Sequence, residues 1–241
     1  NYNKWQHFFG YFLGYDKTES VFSGTRLNGQ LAGQVWNTMG DDEQRKFEYT
    51  YDNVGRLLNA NFTQKIGTGW SNTYLDYSTS GYTGKIEYDL NGNLKSMSQK
   101  GYIYGQTSSV VIDDLRYTYA NGDLSNKLLK VTDQAVIGAT LNGTNADFKD
   151  GTNTGDDYVY DANGNLIIDL NKGVRKTATG APGVGIDYNY LDKPEKIYFG
   201  GNRAGNQSIT FTYDADGRKL KRRLSYSREG AGNNAKEYLY V

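Results

Sequence analysis

Residues 47–58 read Phe47-Glu-Tyr49-Thr-Tyr51-Asp52-Asn-Val-Gly55-Arg-Leu-Leu, and this stretch decides the fold. In a strand, Phe47, Tyr49 and Tyr51 project from one face, because successive side chains alternate between the two faces of a sheet. Asp52 then accepts hydrogen bonds from the backbone ahead of it, and Gly55 tolerates the positive φ of a tight turn. The leucines after the turn resume a strand. The stretch therefore predicts a β-hairpin whose first strand is rich in tyrosine.

The same arrangement recurs along the chain. Residues 86–94, 158–166 and 211–220 repeat it closely, residues 117–124 and 188–194 are degenerate copies, and residues 237–241 open a seventh. The last tyrosines of the copies stand at positions 51, 88, 119, 160, 190, 213 and 240, so the steps are 37, 31, 41, 30, 23 and 27 residues. The predicted repeat positions are Tyr49, Tyr51, Asp52, Gly55, Tyr88, Asp89, Gly92, Tyr117, Tyr119, Gly122, Tyr158, Tyr160, Asp161, Gly164, Tyr188, Tyr190, Phe211, Tyr213, Asp214 and Gly217.

A recurring unit of this length indicates an array of supersecondary units. One hairpin alone is marginal in water, whereas stacked copies gain cross-strand aromatic contacts of roughly 0.2–1 kcal/mol each. We therefore predict an all-β fold in which repeated hairpins form a curved or spiralling antiparallel sheet, with very little helix. Residues 1–46 are expected to supply leading strands of the same sheet, and residues 47–241 to form a single continuous repeat domain.

These Tyr-x-Tyr-Asp-x-x-Gly-Arg/Asn-Leu units resemble the YD repeats of the Rhs family. That family includes bacterial polymorphic toxins, the shell-forming subunits of insecticidal toxin complexes and, more distantly, the barrel of teneurins. The resemblance covers residues 47–241 and implies a hollow β-shell, often with a toxin domain inside, in a secreted or surface-exposed bacterial protein. It also implies partners within a longer polypeptide, namely further repeats and a C-terminal effector domain.

The family's self-cleavage takes place beyond the repeats, in a segment built around Asp-Pro dipeptides. Here Pro182 follows an alanine and Pro194 follows a lysine, so we do not expect self-cleavage in this chain.

Composition excludes several classes of function. The chain has no cysteine, which excludes disulfides, cysteine-ligated zinc and thiol nucleophiles. Lys and Arg (27) balance Asp and Glu (27), so bulk charge does not favour nucleic acid. No apolar run approaches the roughly 18 residues of a membrane span. The 30 glycines, 22 tyrosines and 2 prolines are typical of a β-protein with many tight turns.

Residues with catalytic potential are few. A Ser-His-Asp arrangement would have to use His7, the only histidine. Paired carboxylates could hydrolyse glycosides, but adjacent residues in a strand face opposite ways, so surface or turn positions are favoured. The adjacent pairs are Asp41/Asp42, Asp113/Asp114 and Asp156/Asp157. We therefore predict a protein that is not an enzyme, with no catalytic residues and no cofactor.

Residues 150–157 have the oxygen density of a calcium loop, with Asp150, Asn153 and Asp156 as weak candidates, yet they lack the EF-hand pattern.

Residues 218–223 form the one basic cluster of the sequence. In a strand, the alternation of side chains would divide the charges of this cluster between two faces. We predict neither a metal site nor a nucleic-acid surface.

Three functions follow from these observations. The first is a non-enzymatic shell segment that encloses or displays another domain. The second is a surface adhesin or carbohydrate-binding module that stacks glycans on exposed tyrosines or on Trp5, Trp36 and Trp70. The third is a carboxylate hydrolase. Tyrosines packed between strands favour a shell, and a row of solvent-facing aromatic side chains favours binding. Unpaired terminal strands predict edge-to-edge self-association.

Overall fold

The computed structural model confirms the all-β prediction. It describes residues 8–16, 21–81, 83–135, 148–150, 154–176, 183–200, 207–227 and 233–240. Strands account for 51% of these residues and helix for 2%. The described part of the chain contains no helix that is long and apolar enough to cross a membrane.

The strands pair antiparallel wherever their register is defined. In chain order the elements are β1 (Phe9–Gly14), β2 (Gly33–Thr38), β3 (Arg45–Tyr51), β4 (Leu57–Ile66), β5 (Gly69–Ser71), β6 (Thr79–Ser80), β7 (Glu87–Tyr88), β8 (Leu94–Gly101), β9 (Val110–Tyr119), α1 (Ala120–Asp123), β10 (Leu128–Asp133), β11 (Tyr158–Tyr160), β12 (Leu166–Asp169), β13 (Ile186–Tyr188), β14 (Pro194–Phe199), β15 (Gln207–Tyr213), β16 (Lys219–Ser227) and β17 (Asn233–Leu239).

The chain forms two compact units. The first comprises residues 1–118, 123–126 and 132–148, and the second comprises residues 119–122, 127–131 and 149–241. The boundary predicted at residue 46 lies within β3, which pairs directly with β2.

In the first unit, one sheet runs in the order β1-β2-β3-β4-β6-β8-β9, with β5 added to β4 and β7 added to β8. In the second unit, β11 pairs with β12, and β13 to β17 form a five-stranded meander in chain order. Each sheet is therefore built mainly from hairpins between consecutive strands, as the repeat pattern predicts.

Five repeat hairpins share one register and one irregularity. In each, a tyrosine pairs with the residue six positions later, and the register shifts at that tyrosine. The pairs are Tyr51↔Leu57, Tyr88↔Leu94, Tyr160↔Leu166, Tyr188↔Pro194 and Tyr213↔Lys219. A shift of this kind is a β-bulge, which strengthens the local twist and redirects the side chain beside it.

The apolar core is divided between the units. Among the described residues, Phe62 is the largest apolar side chain that is fully buried, and it contacts the rings of Trp36, Phe47 and Tyr77 at centroid distances of 6.1, 5.3 and 5.1 Å. The other buried apolar residues of the first unit are Phe22, Ala32, Ala60, Ile86, Ile103, Ile112 and Leu115. Those of the second unit are Tyr119, Val131, Ile168, Val174 and Ile186.

Candidate functional site: the tyrosine ladder

The turn of the first repeat is held by one carboxylate. Asp52 Oδ1 accepts hydrogen bonds from the backbone N–H groups of Val54 (3.0 Å) and Arg56 (2.8 Å), and Asp52 Oδ2 accepts one from Arg56 Nε (2.6 Å). The N–H of Gly55 donates to the Asp52 carbonyl (3.1 Å), and Gly55 has a φ of 90°. The turn geometry therefore needs a side-chain oxygen that accepts backbone N–H groups at its first position and a residue that adopts a positive φ three positions later.

Four further turns repeat these bonds. Asp89, Asp161 and Asp214 accept the N–H four residues ahead at 2.8, 2.8 and 2.7 Å. In the fifth copy the amide oxygen of Asn189 takes the place of the carboxylate and accepts the N–H groups of Leu191 (2.9 Å) and Lys193 (3.1 Å).

Each of these turns is preceded by a tyrosine whose hydroxyl donates to the backbone of the preceding hairpin. We call the five residues the ladder tyrosines. The bonds are Tyr51 to Leu31 O (2.9 Å), Tyr88 to Leu57 O (2.8 Å), Tyr160 to Leu128 O (2.9 Å), Tyr188 to Leu166 O (2.8 Å) and Tyr213 to Pro194 O (2.9 Å). In four of the five bonds the acceptor is the first residue of the returning strand, and Leu31 lies two residues before β2, so each hairpin is fastened to the next near the same point.

A second contact joins neighbouring turns through the residue that follows the turn glycine. Gln30 Nε2 donates to Gly55 O (3.1 Å), and Arg56 Nη1 donates to Asp89 O (3.3 Å). Asn93 Nδ2 reaches Asn126 Oδ1 (3.0 Å), and Asn165 Nδ2 reaches Asp192 Oδ1 (3.1 Å). The Arg or Asn of the repeat pattern therefore bridges its own turn to the next one.

The electrostatics of the repeat follow from these bonds. Burial raises the pKa of every ladder tyrosine, because it disfavours the phenolate form. Although desolvation opposes the effect, hydrogen bonds from Arg56 lower the pKa of Asp52. The same balance lowers the pKa of Asp89 and Asp161, with Asn93 and Asn165 as the donors. At neutral pH each tyrosine is thus a donor, and each of these carboxylates is an ionised acceptor.

The two degenerate copies differ from the sequence pattern in instructive ways. In the fifth copy Tyr188 is the ladder tyrosine, whereas Tyr190 lies in the turn and is 84% exposed. In the third copy Ala120 stands where other copies have Asp, and its N–H bonds to Lys127 O (2.9 Å). That turn is longer, includes α1, and places the start of the returning strand at Leu128 rather than Leu124.

The predicted repeat residues Tyr49, Tyr117, Tyr158 and Phe211 lie within strands β3, β9, β11 and β15. Gly92, Gly122, Gly164 and Gly217 have φ values of 86°, 63°, 89° and 79°. Sequence reasoning did not identify the acceptor Leu31 or the bridging residue Gln30. The signal for them was Asn28-Gly29-Gln30-Leu31, which matches Asn91-Gly92-Asn93-Leu94 of the second copy.

The adjacent carboxylates do not converge on a shared pocket. The hydrogen bond from Arg45 lowers the pKa of Asp41 to about 2. Asp113 Oδ1 accepts the N–H of Phe148 (2.8 Å), and Asp114 is paired with Arg116 (2.7 Å).

In the third adjacent pair, Asp156 is exposed, whereas the neighbouring Asp157 is fully buried. The Asp157 carboxylate accepts bonds from the N–H of Val131 (2.8 Å) and from Asn171 Nδ2 (3.0 Å). Asp157 therefore has a structural role.

The remaining candidates contribute no assembled site. In the described part of the chain, no three His, Cys, Asp or Glu side chains could hold a metal together. Asn153 of the calcium candidates, His7 and Trp5 lie outside the described residues.

The other two tryptophans are packed against neighbouring side chains. Trp36 stacks on Phe47 (5.7 Å), and Trp70 lies under the ammonium groups of Lys46 (4.8 Å) and Lys65 (5.2 Å).

The charges of residues 218–223 are divided between two faces of β16. Arg222 lies over the ring of Tyr238 (4.3 Å), whereas Lys221 and Arg223 each approach Glu237 (3.8 Å). The cluster therefore presents no continuous basic surface.

Comparison of the sequence with models of known protein families found no match, and comparison with curated proteins likewise found none.

Proposed function

We propose that the chain is a non-enzymatic structural segment of a large secreted or surface-exposed bacterial protein of the Rhs type. In that role the stacked hairpins contribute to a β-shell that encloses or displays an effector domain, and the partners of the segment are further repeats of the same polypeptide. The YD-like sequence pattern is the source of the family proposal.

The tyrosine ladder is the observation that carries the structural role. The hydroxyl of each ladder tyrosine is used to fasten one hairpin to the preceding one, and each turn carboxylate is used to close its own turn. The residues that recur most regularly in the sequence therefore hold the strands and turns of the sheet together. This use of tyrosine between strands supports a shell segment over a binding surface.

The size and location of the native polypeptide test this proposal. An antibody raised against this segment would be used to blot source cells and culture medium. We expect a band much larger than 27.0 kDa in the medium or on the cell surface. A native product of 27.0 kDa confined to the cell interior would overturn the proposal.

A carbohydrate-binding role is the second candidate, and one cleft of the second unit favours it. The cleft has a volume of about 530 Å³ and is lined in part by Tyr190, Glu195, Phe211 and Thr212. A solvent-exposed ring beside carboxylate and hydroxyl groups is suited to stacking on a sugar and bonding its hydroxyls. A glycan array would detect such binding, which Tyr190→Ala should abolish and Tyr104→Ala, at a residue 98% exposed elsewhere, should not. No binding on the array would remove this candidate.

A further inference from the structure

Among the described residues, β1 is an edge strand of its sheet, and one of its faces is apolar. β1 is the first strand in the order of its sheet, and among the described residues only β2 pairs with it. The carbonyls of Phe8 and Gly14 accept bonds from the N–H groups of Met39 (3.1 Å) and Ala32 (2.7 Å), the residues that directly follow and precede β2. Because bonding direction alternates along an antiparallel strand, the backbone groups of Phe9, Tyr11 and Leu13 point away from β2.

The side chains of the same three residues are exposed on one face. Phe9 is 54%, Tyr11 63% and Leu13 37% exposed. With Gln34, Val35 and Trp36 they line a groove of about 470 Å³. Within the part of the chain that the structure describes, the edge therefore offers backbone donors and acceptors without a partner beside an apolar surface, which is the arrangement that favours strand addition.

The usual protections of an edge strand are absent from β1. Its sequence, Phe-Gly-Tyr-Phe-Leu-Gly, has no charge, no proline and no register shift with β2. The other terminal strand, β17, carries Lys236 and Glu237. Of these two edges, β1 is the one without a charge that would repel an incoming strand.

We propose that β1 pairs with β1 of a second copy of this chain, antiparallel and with Tyr11 opposite Tyr11. This register sets Phe9 opposite Leu13 in both directions and adds about six backbone hydrogen bonds. Both copies then present their aromatic side chains on the same face, so the two grooves become continuous. In this register no like charges oppose each other, and the exposed apolar side chains Phe9 and Leu13 of the two copies face one another. This proposal does not depend on membership of the Rhs family.

Light scattering after size exclusion tests the association. The 241-residue chain should show twice its monomer mass of 27.0 kDa as concentration rises. Tyr11→Lys places two like charges opposite each other and should raise the dissociation constant by roughly tenfold or more. Leu239→Lys makes the matching change on β17, where Leu239 is 75% exposed, and should leave the dimer intact. Circular dichroism confirms that each variant is folded.

Cysteine cross-linking tests the register, because the chain contains no native cysteine. Opposed residues in hydrogen-bonded positions have Cα atoms about 5.5 Å apart, within the range for a disulfide. Tyr11→Cys should therefore cross-link to itself on mild oxidation. Phe9→Cys should not cross-link to itself but should cross-link to Leu13→Cys in a mixture. A monomeric wild-type chain, a dimer dissociated by Leu239→Lys rather than Tyr11→Lys, or cross-linking of Phe9→Cys to itself would overturn the proposal.

Discussion

Removing one hydroxyl from the ladder tests whether the tyrosine bonds stabilise the stack. Tyr88 is the most informative position, because its hydroxyl donates to Leu57 O at 2.8 Å and the guanidinium of Arg56 lies 4.6 Å from the ring centroid. Tyr88→Phe keeps the ring and its packing but loses the bond. A net hydrogen bond contributes about 0.5–1.5 kcal/mol. Since Tyr88 is half-buried, we expect Tyr88→Phe to lower the free energy of unfolding by about 1 kcal/mol.

Tyr88→Ala separates the hydroxyl from the ring. A tyrosine ring that buries about 100 Å² of apolar surface contributes about 2.5 kcal/mol. Losing the cation–π contact with Arg56 adds about 0.5–1 kcal/mol. With the hydroxyl bond included, the alanine variant should therefore cost about 4–4.5 kcal/mol in total, roughly four times the loss in Tyr88→Phe.

Urea unfolding monitored by tryptophan fluorescence provides the assay. Trp36 and Trp70 belong to the first unit, which also contains Tyr88. Tyr104→Phe is the control, because Tyr104 is 98% exposed and should change stability by less than about 0.5 kcal/mol. If Tyr88→Phe and Tyr104→Phe unfold at the same urea concentration, the hydroxyl does not stabilise the stack and the reasoning fails.

Three further predictions concern the turns and the titration of the ladder. Asp89→Ala should lower the melting temperature by about 2–4 °C, because the turn loses its side-chain acceptor. Asp89→Asn should change the melting temperature little, because Asn189 closes an equivalent turn, and an equal fall in both variants would contradict this prediction. Gly164→Ala should cost about 1–2 kcal/mol in urea unfolding, since φ is 89° there, and an unchanged midpoint would show that the turn adapts. Burial raises the pKa of the ladder tyrosines, so their contribution is complete below about pH 10 and is lost as pH rises through the folded-state pKa. Melting temperatures that stay constant to high pH would refute the last prediction.

The hairpins could be predicted from sequence because their determinants are local. Alternating aromatic residues fix the strand face, and an Asp followed three positions later by Gly fixes the turn. The structure confirms the all-β fold that this pattern predicts, and the copies at Asp52, Asp89, Asp161 and Asp214 form their turns with the same bonds.

The degenerate copies show where the local sequence pattern no longer predicts which residues form the turn and the ladder bond. In the fifth copy, Asn189 replaces the carboxylate and Asp192 adopts the positive φ (52°) that glycine has elsewhere. Aligning the copies on their last tyrosine therefore places Tyr190 at the position of Tyr51, although Tyr188 is the tyrosine whose hydroxyl bonds to the preceding hairpin. An amide and a carboxylate are equivalent as acceptors of a backbone N–H, and a Tyr-Asp pattern does not express that equivalence.

The partner of each ladder bond could not be predicted, because it is set by stacking rather than by neighbours in sequence. Tyr160 bonds to Leu128, 32 residues earlier, and Tyr213 bonds to Pro194, 19 residues earlier. A carbonyl has no side-chain identity, so a leucine and a proline serve equally well as acceptors. Only the superposition of one hairpin on the next reveals which carbonyl lies under the hydroxyl.

The ladder also explains how copies of such different spacing fit one architecture. The steps counted along the sequence range from 23 to 41 residues, yet the five hydroxyl-to-carbonyl distances all lie between 2.8 and 2.9 Å. Each hairpin is fastened beside its turn, where the Asp, the glycine and the tyrosine are only a few residues apart. In the five hairpins with a ladder tyrosine, the extra residues lie outside the turn, where they do not alter that geometry. Because loop closure costs little more as a loop lengthens, the loops can vary while the fastening point stays fixed.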